Sequence, residues 1–517
     1  MDLLIKNANI ITGDGKEPVH KADILVQDGI IRRIGVNLSA SCRIVDVDSA
    51  YVCPAFIDAH RHLDWAVLRD AGFGQLERGQ GIGTAFGGLC GMSGAYTSRD
   101  WADYISPCLG PCPQELLDLT FSDYLDLLAG RELPLDLAFF VGMGSVTSSI
   151  KGMAGGRWST DELRKAQGIL SASLEAGAMG ISAGIMYEPE RFNSTGEYVR
   201  ILSAASGRHR PFVVHLRSEG DSLVEAVEEA CEIAGKADLP LVISHFKVFG
   251  RNNWQRTLEK AVRVIEKRRE EGQDVCADFY PYSCGSTTML TLIPPVCQKS
   301  SLHDTVEFLD SGEGRRLFCN QILREQEHWD NMVQSIGWHR VILSSAVSEL
   351  ARPYVGRDFQ SIADSLGEDP ANIFIDMLVA EKGRAGVIVH SMSDSDVDTV
   401  AALPWTALIS DSLYSVTGNP HPRLYGSFVH FLCDFVFRRG VLTLEEAVWK
   451  MTGLVADRYG LSDRGLVREG LRADLLSFRK EDLEDRATYD DPCQEPAGLR
   501  WLSTSGKGKL LYPGDNR

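Results

Sequence analysis

Six residues in this chain combine the donor types of a metal centre with positions at which they could converge. His60 and His62 stand one residue apart in Ala59-His60-Arg61-His62, directly after the apolar pair Phe56-Ile57. In an extended strand, residues i and i+2 project to the same side, so two imidazoles at this spacing can face one ion. An HxH pair alone is a weak sign, because an isolated strand-end histidine is more often a satisfied residue of the interior. Three more candidates share its placement: His215 closes the apolar run PFVVH, His245 closes LPLVISH, and Asp411 closes WTALISD. Cys90 follows GTAFGG in the segment GGLCG, whose glycines permit close backbone approach. Taken singly, a cysteine here reads as a buried structural thiol. Neutral imidazole nitrogen, thiolate and ionised carboxylate are the groups that bind a borderline-soft divalent ion. Such an ion lowers the pKa of a bound water and polarises a carbonyl, and a neighbouring carboxylate can carry the proton.

These residues need strand ends that meet in space. From Pro211 to Tyr282 the chain alternates strand, helix, strand, helix, strand. PFVVH leads to DSLVEAVEEACEIAG, with Leu223, Val227, Ala230 and Ile233 on one helical face and Gly235 as a stop signal. LPLVISH, WQRTLEKAVRVIEKRREEG and QDVCADFY follow. This order implies a parallel sheet with right-handed crossovers. Strand candidates near Phe56, Thr84, Ala138, Met179, Val213, Val242, Val275 and Ala407 number eight, which fits a closed (β/α)8 TIM-like barrel; counting leaves an open doubly wound sheet as the alternative. In a parallel barrel the carboxyl ends of the strands face the active site, where His215, His245 and Asp411 are expected. The rhythm breaks between about 290 and 350, read as an insertion near the barrel mouth. Residues 1–55 and 440–517 carry strand texture, in LLIKNANII, ADILVQDGIIRRIG, GLRADLLSF and KLLY, and are expected to pair as one small domain beside a barrel over 56–439.

The bulk numbers exclude several roles. With 517 residues, 44% hydrophobic and 24% charged, the composition is that of a globular enzyme-sized chain. A net charge of -18, without a clustered basic face, argues against nucleic acid as a partner. No run reaches the roughly 18 apolar residues of a membrane span. Lys6 and Asn7 interrupt the N-terminal apolar run, so no export signal is read, and a cytoplasmic location with reduced thiols is the expectation for the 12 cysteines. Cys108 and Cys112 in PCLGPCP read as a loop pair. The glycines 79, 81 and 83 lack the continuation of a dinucleotide fingerprint.

Longer segments resemble one known family in its own order along nearly the whole chain. They are PAFIDAHRHLD at Pro54–Asp64, GLCGMS at Gly88–Ser93, AGAMGISAGIMYEP at Ala176–Pro189, HLRSEGD at His215–Asp221 and ISHFK at Ile243–Lys247. YPYSCGST at Tyr280–Thr287, ISD at Ile409–Asp411, HPRLYGSF at His421–Phe428, LTLEEAVWKMTG at Leu442–Gly453 and GLVREGLRADLLSF at Gly465–Phe478 complete the set. The chain resembles the N-acyl-D-amino-acid deacylases (D-aminoacylases) of the amidohydrolase superfamily. The resemblance implies an eight-stranded barrel, a β-sandwich made from both chain ends, and zinc: one tightly bound Zn2+ on Cys90, His215 and His245, beside a weakly occupied position at His60 and His62. It implies Asp411 as the proton-transfer residue, and Lys247, Tyr187 and one tyrosine of YPY, taken as Tyr282 over Tyr280, as contacts for the substrate carboxylate. Arg217 is a further candidate for that carboxylate; its alternative is an ion pair with Glu219 or a neighbour.

The implied reaction is hydrolysis of the amide bond of a small N-acyl-D-amino acid to a carboxylate and a free D-amino acid; the D preference rests on the resemblance alone. Ala55, Leu89, Phe246 and Ser412 depart from residues common in the family, which bears on substrate preference more than on chemistry. An amidohydrolase for a cyclic amide or dipeptide is the first alternative. Its common dinuclear form bridges two ions through a lysine on a middle strand, and AMGISAG offers none. A non-catalytic scaffold predicts missing ligands, whereas every candidate is present. The residues specify neither the acyl group nor the oligomeric state.

Overall fold

The computed structural model describes residues 2–299, 301–324, 329–414 and 418–514. Both chain ends contribute to one hydrogen-bonded sheet of seven strands. Leu3–Ile10 pairs antiparallel with His20–Gln27, which pairs with Ile30–Gly35; Arg43–Asp46 and Tyr51–Pro54 run parallel to its other edge. Leu475–Phe478 then joins Tyr51–Pro54, and Arg500–Ser503 joins Leu475–Phe478. The inward residues, among them Ile5, Ile24, Val26, Ile31, Val52 and Leu475, form a small core of their own. The expected sandwich is therefore recorded as one continuous sheet, with a register shift between Ile5 and Ala8 where Asn7 takes a positive φ of 59°.

The strands expected around the candidate site form parallel sheets. Phe56–Asp58, Ile82–Gly87 and Asp136–Phe139 make one; Val141–Gly142, Ile181–Gly184, Phe212–His215, Leu241–Ile243, Val275–Phe279 and Thr406–Leu408 make another. Met179 N–H donates to Phe139 O and Val141 N–H to Gly180 O, which ties the two together. Arg61–His62 pairs in parallel with Ser412–Leu413, and Asp411 N–H donates to His60 O. Most of these strand residues are buried on both faces, as helices on the outside require. The helix Leu223–Ala237 buries Leu223, Val227, Ala230 and Ile233, the face read from its spacing. It runs past Gly235 and stops at Asp238, whose left-handed conformation (φ 57°) ends it.

The interrupted region is larger than about 290–350. Gly285–Thr288, Val341–Ser345 and Gly386–Val389 form an antiparallel sheet. Leu302–Asp310, Gly312–Gln321, Phe359–Leu366 and Pro370–Ala380 supply helices to a separate core that includes Phe318, Trp338, Phe359 and Phe374. GVIV and its preceding helices look like barrel texture in sequence but close this second core. Residues 300 and 325–328 of the insertion lie outside the described residues. No helix among the described residues is long and apolar enough to cross a membrane.

Candidate metal centre

Alternation along one short extended run sorts the motif His60-Arg61-His62. The two imidazoles share a side, with ring centroids 5.4 Å apart. Arg61 points the other way into a buried network with Asp58, Glu77 and Tyr414. Asp58 also accepts from Ser410 N–H (3.0 Å) and Ser410 Oγ (2.5 Å), so one carboxylate fastens the segment before His60 to the segment before Asp411. Asp64, at the end of the same motif, accepts from Gly88 N–H (3.0 Å) and Gly94 N–H (3.1 Å) and holds the loop that carries Cys90. Gly88 and Gly91 are needed there: both have positive φ, and a Cβ would lie 2.1 Å from Phe140 O or 1.9 Å from a Glu190 carboxylate oxygen.

Cys90, His245 and Asp411 themselves adopt left-handed backbone conformations, with φ of 51°, 36° and 49°. Each such residue costs on the order of 1–2 kcal/mol, which the surrounding bonds must hold in place. For His245 the restraint is a bond from its N–H to the Asp278 carboxylate.

The side chains meet. Cys90 Sγ lies 3.3 Å from His60 Nε2, 3.4 Å from His245 Nε2 and 3.8 Å from His215 Nδ1, and the last two nitrogens are 2.9 Å apart. A tetrahedral zinc site with N and S arms has ligand–ligand edges of roughly 3.3–3.7 Å. The donor set Cys90–His215–His245 fits such an ion in type, and its edges of 2.9, 3.4 and 3.8 Å lie on either side of that range; His60, His62 and Cys90 form an adjoining triad within 4.8 Å. Asp411 Oδ1 reaches His62 Nε2 at 3.2 Å and His60 Nε2 at 3.6 Å, while Oδ2 pairs with Arg423 at 2.9 Å.

Burial pushes the imidazoles of His215 and His245 well below their ordinary range, which keeps both as neutral donors, and lowers His62 as well. At His60 burial acts the same way, but Asp278 and then Asp411 outweigh it and raise the group. Burial, with the Asp411 charge beside it, drives the Cys90 thiol well up; a bound cation reverses that preference and holds a thiolate. Burial also opposes the charge on Asp411, yet the Arg423 charge and the contact with His62 hold its carboxyl well below the usual carboxylate range.

A cavity opens on this cluster, lined also by Tyr187, Lys247, Tyr280, Glu219 and Arg423. Two expected contacts fall elsewhere. Tyr282 faces away, stacked on His430 at 4.4 Å, and Tyr280 takes the position in the wall. Arg217 is bound to Glu229 at 2.8 Å and to the carbonyls of Arg191 and Asn193, so the ion-pair alternative describes it, with a partner one helix further on. Cys108 belongs to the helix Arg99–Leu109 rather than a loop, and it lines the cavity. Sequence reasoning missed Arg423, Asp278 and the role of Glu219. HPR and SEGD were visible as motifs, but nothing local marks which carboxylate an arginine or histidine will meet.

No protein-family model matches the chain. Among curated relatives, a D-aminoacylase of Alcaligenes xylosoxydans xylosoxydans is 30% identical over 98% of this chain and 93% of its own length. An N-acyl-D-aspartate deacylase of the same organism is 31% identical over 99% and 95%. A crystal structure of an N-acyl-D-glutamate deacylase from Bordetella bronchiseptica superposes with a TM-score of 0.82 at 26% identity, covering 99% of both chains; it holds zinc and a phosphonate mimic of the tetrahedral intermediate. A D-aminoacylase structure described as defining a novel subset of amidohydrolases superposes with a TM-score of 0.81 at 28% identity, over 99% of this chain and 98% of the other.

Proposed function

Because the chain belongs to the N-acyl-D-amino-acid deacylase (D-aminoacylase) family of the amidohydrolase superfamily, we propose a division of labour among its own residues. The protein is a metal-dependent hydrolase that cleaves the linear amide bond of N-acyl-D-amino acids. The parallel strands are taken as one closed eight-stranded barrel over 56–439, with the terminal sheet as a sandwich-like second domain; the linking bonds Met179–Phe139 and Asp411–His60 support that closure. Cys90, His215 and His245 hold the principal ion, read as zinc, and His60 and His62 flank an adjacent weaker position. A zinc ion there supplies Lewis acidity to the amide carbonyl and to the attacking water.

Asp411 carries the proton. Its Oδ1 faces the histidines while Oδ2 is tied to Arg423, so Oδ1 is the atom that takes a proton from water and returns it to the departing amine nitrogen. The Arg423 pair keeps the carboxyl ionised and fixed in direction. Lys247 donates to Glu219 Oε1 (2.6 Å) and His245 O (2.9 Å) and lies 2.8 Å from His245 Nδ1, which holds its ammonium at the cavity wall, where it would meet the substrate carboxylate. Tyr187 and Tyr280 stand beside it in the wall.

The observation that carries this reading is a single cavity uniting the sulfur–imidazole cluster, Asp411 and Lys247. Beside the small polar residues Ser286, Thr287 and Ser391, its remaining wall is mostly apolar, with Met92, Met186, Phe249, Met332, Val389 and Leu413. Its two cationic side chains, Lys247 and Arg423, already face Glu219 and Asp411. That balance supports N-acyl derivatives of apolar D-amino acids over acidic ones. The test is turnover of N-acetyl-D-methionine and N-acetyl-D-leucine against N-acetyl-D-aspartate, N-acetyl-D-glutamate and the L forms, with zinc present. Faster turnover of the acidic substrates would refute the side-chain preference, and turnover of L forms alone would overturn the stereochemical reading.

A further inference from the structure

Glu219 lies between the two histidines assigned to the principal ion, on the side away from Cys90. Its carboxylate is buried, at 3% exposure, and its two oxygens face different rings. Oε1 is 3.0 Å from His245 Nδ1; Oε2 is 3.9 Å from His215 Nε2, a buried nitrogen with no hydrogen-bond partner among the described residues. The opposite nitrogens, His245 Nε2 and His215 Nδ1, are those that approach Cys90. A nitrogen that binds a metal presents its lone pair, so the proton of each neutral ring must sit on the far nitrogen. For His245 that proton meets Glu219 Oε1 within hydrogen-bond distance; for His215, Glu219 Oε2 stands 3.9 Å away, beyond such a bond. Lys247 Nζ also lies 2.8 Å from His245 Nδ1, but an ammonium cannot accept that proton; Glu219 can.

The backbone of Glu219 is held by the insertion. Asp330 accepts from Glu219 N–H (3.0 Å) and from Ser218 Oγ (2.8 Å), and Phe249 N–H donates to Glu219 O (2.8 Å). Ser218 Oγ in turn accepts from Gly220 and Ser222 N–H groups. The turn after the strand Phe212–His215 is thereby fixed from above as well as from its own strand.

We propose that Glu219 is the positioning residue of the metal centre, fixing the ring orientation and tautomer of His245, and that Asp330 of the insertion sets where Glu219 stands. This rests on the assignment of Cys90, His215 and His245 as ligands. It gives the insertion a role in metal retention in addition to covering the cavity.

The experiment measures zinc affinity of the metal-stripped protein by competition with a chromophoric chelator, for the wild type, Glu219→Gln, Glu219→Ala and Asp330→Asn. Loss of a hydrogen-bonding partner behind a metal-binding histidine costs about 10–100-fold in metal affinity. Glu219→Ala is expected to show that loss, Glu219→Gln a smaller one, and Asp330→Asn a loss with Glu219 still present. Added zinc should restore turnover of Glu219→Gln, which a folding defect would not allow; thermal unfolding of the stripped proteins provides the check on folding. Wild-type zinc affinity in both folded Glu219 variants overturns the role of Glu219, and wild-type affinity in Asp330→Asn overturns that of the insertion. Weak zinc binding by the wild type itself instead overturns the ligand assignment, so the two failures are distinct.

Discussion

At the scale of single residues, the site depends on which atom of each group faces the cluster. Asp411 illustrates this, because one oxygen is committed to Arg423 and the other faces His62. Asp411→Asn keeps the shape and removes the proposed proton carrier. The expected result is a fall in kcat of about 10²–10⁴-fold with zinc content unchanged; near-wild-type turnover of the zinc-loaded variant would remove Asp411 from the mechanism. His215, His245 and Asp411 were legible because each ends an apolar strand-like run, and strand ends gather at one face of a parallel sheet, whereas Cys90 lies in the glycine-rich loop after its strand. Tyr280 and Tyr282 show where legibility stopped. Both lie in YPY, and the turn after Val275–Phe279 decides which ring enters the cavity.

At the scale of elements, buried polar side chains fasten the helices to the strands that present the site. Lys450, on the helix Leu444–Met451, donates to Leu403 O, Thr406 O (2.9 Å) and Thr406 Oγ1 (3.3 Å), where the strand Thr406–Leu408 begins. Burial pushes this ammonium down to about 7 from its ordinary 10.5. The unfolded chain then binds more protons than the folded one between those values, so the contribution of Lys450 to stability rises with pH across that window. In thermal unfolding, Lys450→Met is expected to be less stable than the wild type by about 1–3 kcal/mol, because Thr406 O loses this donor, while Leu403 O keeps the Thr406 hydroxyl. The gap between the two proteins should widen from pH 7 to pH 10; a gap independent of pH would show that Lys450 stays charged throughout. The insertion was visible in sequence only as a broken rhythm. Its helix Phe359–Leu366 is amphipathic and Pro370–Ala380 is apolar nearly all round, and which core they close is a long-range choice.

At the scale of the whole molecule, the C-terminal segment returns to the strand Asp136–Phe139. Leu137 N–H donates to Lys509 O and Leu511 N–H to Leu137 O, while Leu510 and Leu511 are buried at 8% and 5% exposure. Asp136, on the same strand, pairs with Arg464 and Arg472 from the terminal unit and accepts from Lys509 N–H at 2.8 Å. A chain cut after Ser505 loses the burial of both leucines, on the order of 4 kcal/mol in total. The expected outcome is a lower thermal midpoint with the candidate metal-binding residues still present; an unchanged midpoint would mean that the tail does not brace the strand Asp136–Phe139.

The sequence by itself determined the residue types of the centre, the strand ends that carry them, the amphipathic faces of the helices and the family resemblance. Each of these follows from local spacing, which is set within a few residues. Only the tertiary structure decided that Cys90 stands between His60 and the pair His215–His245, that Arg423 binds Asp411, and that Asp330 and Glu219 sit behind the histidines. Those partners are tens to hundreds of residues apart or belong to different elements. Their meeting depends on how the strands close and how the insertion folds over them, and no local pattern encodes either.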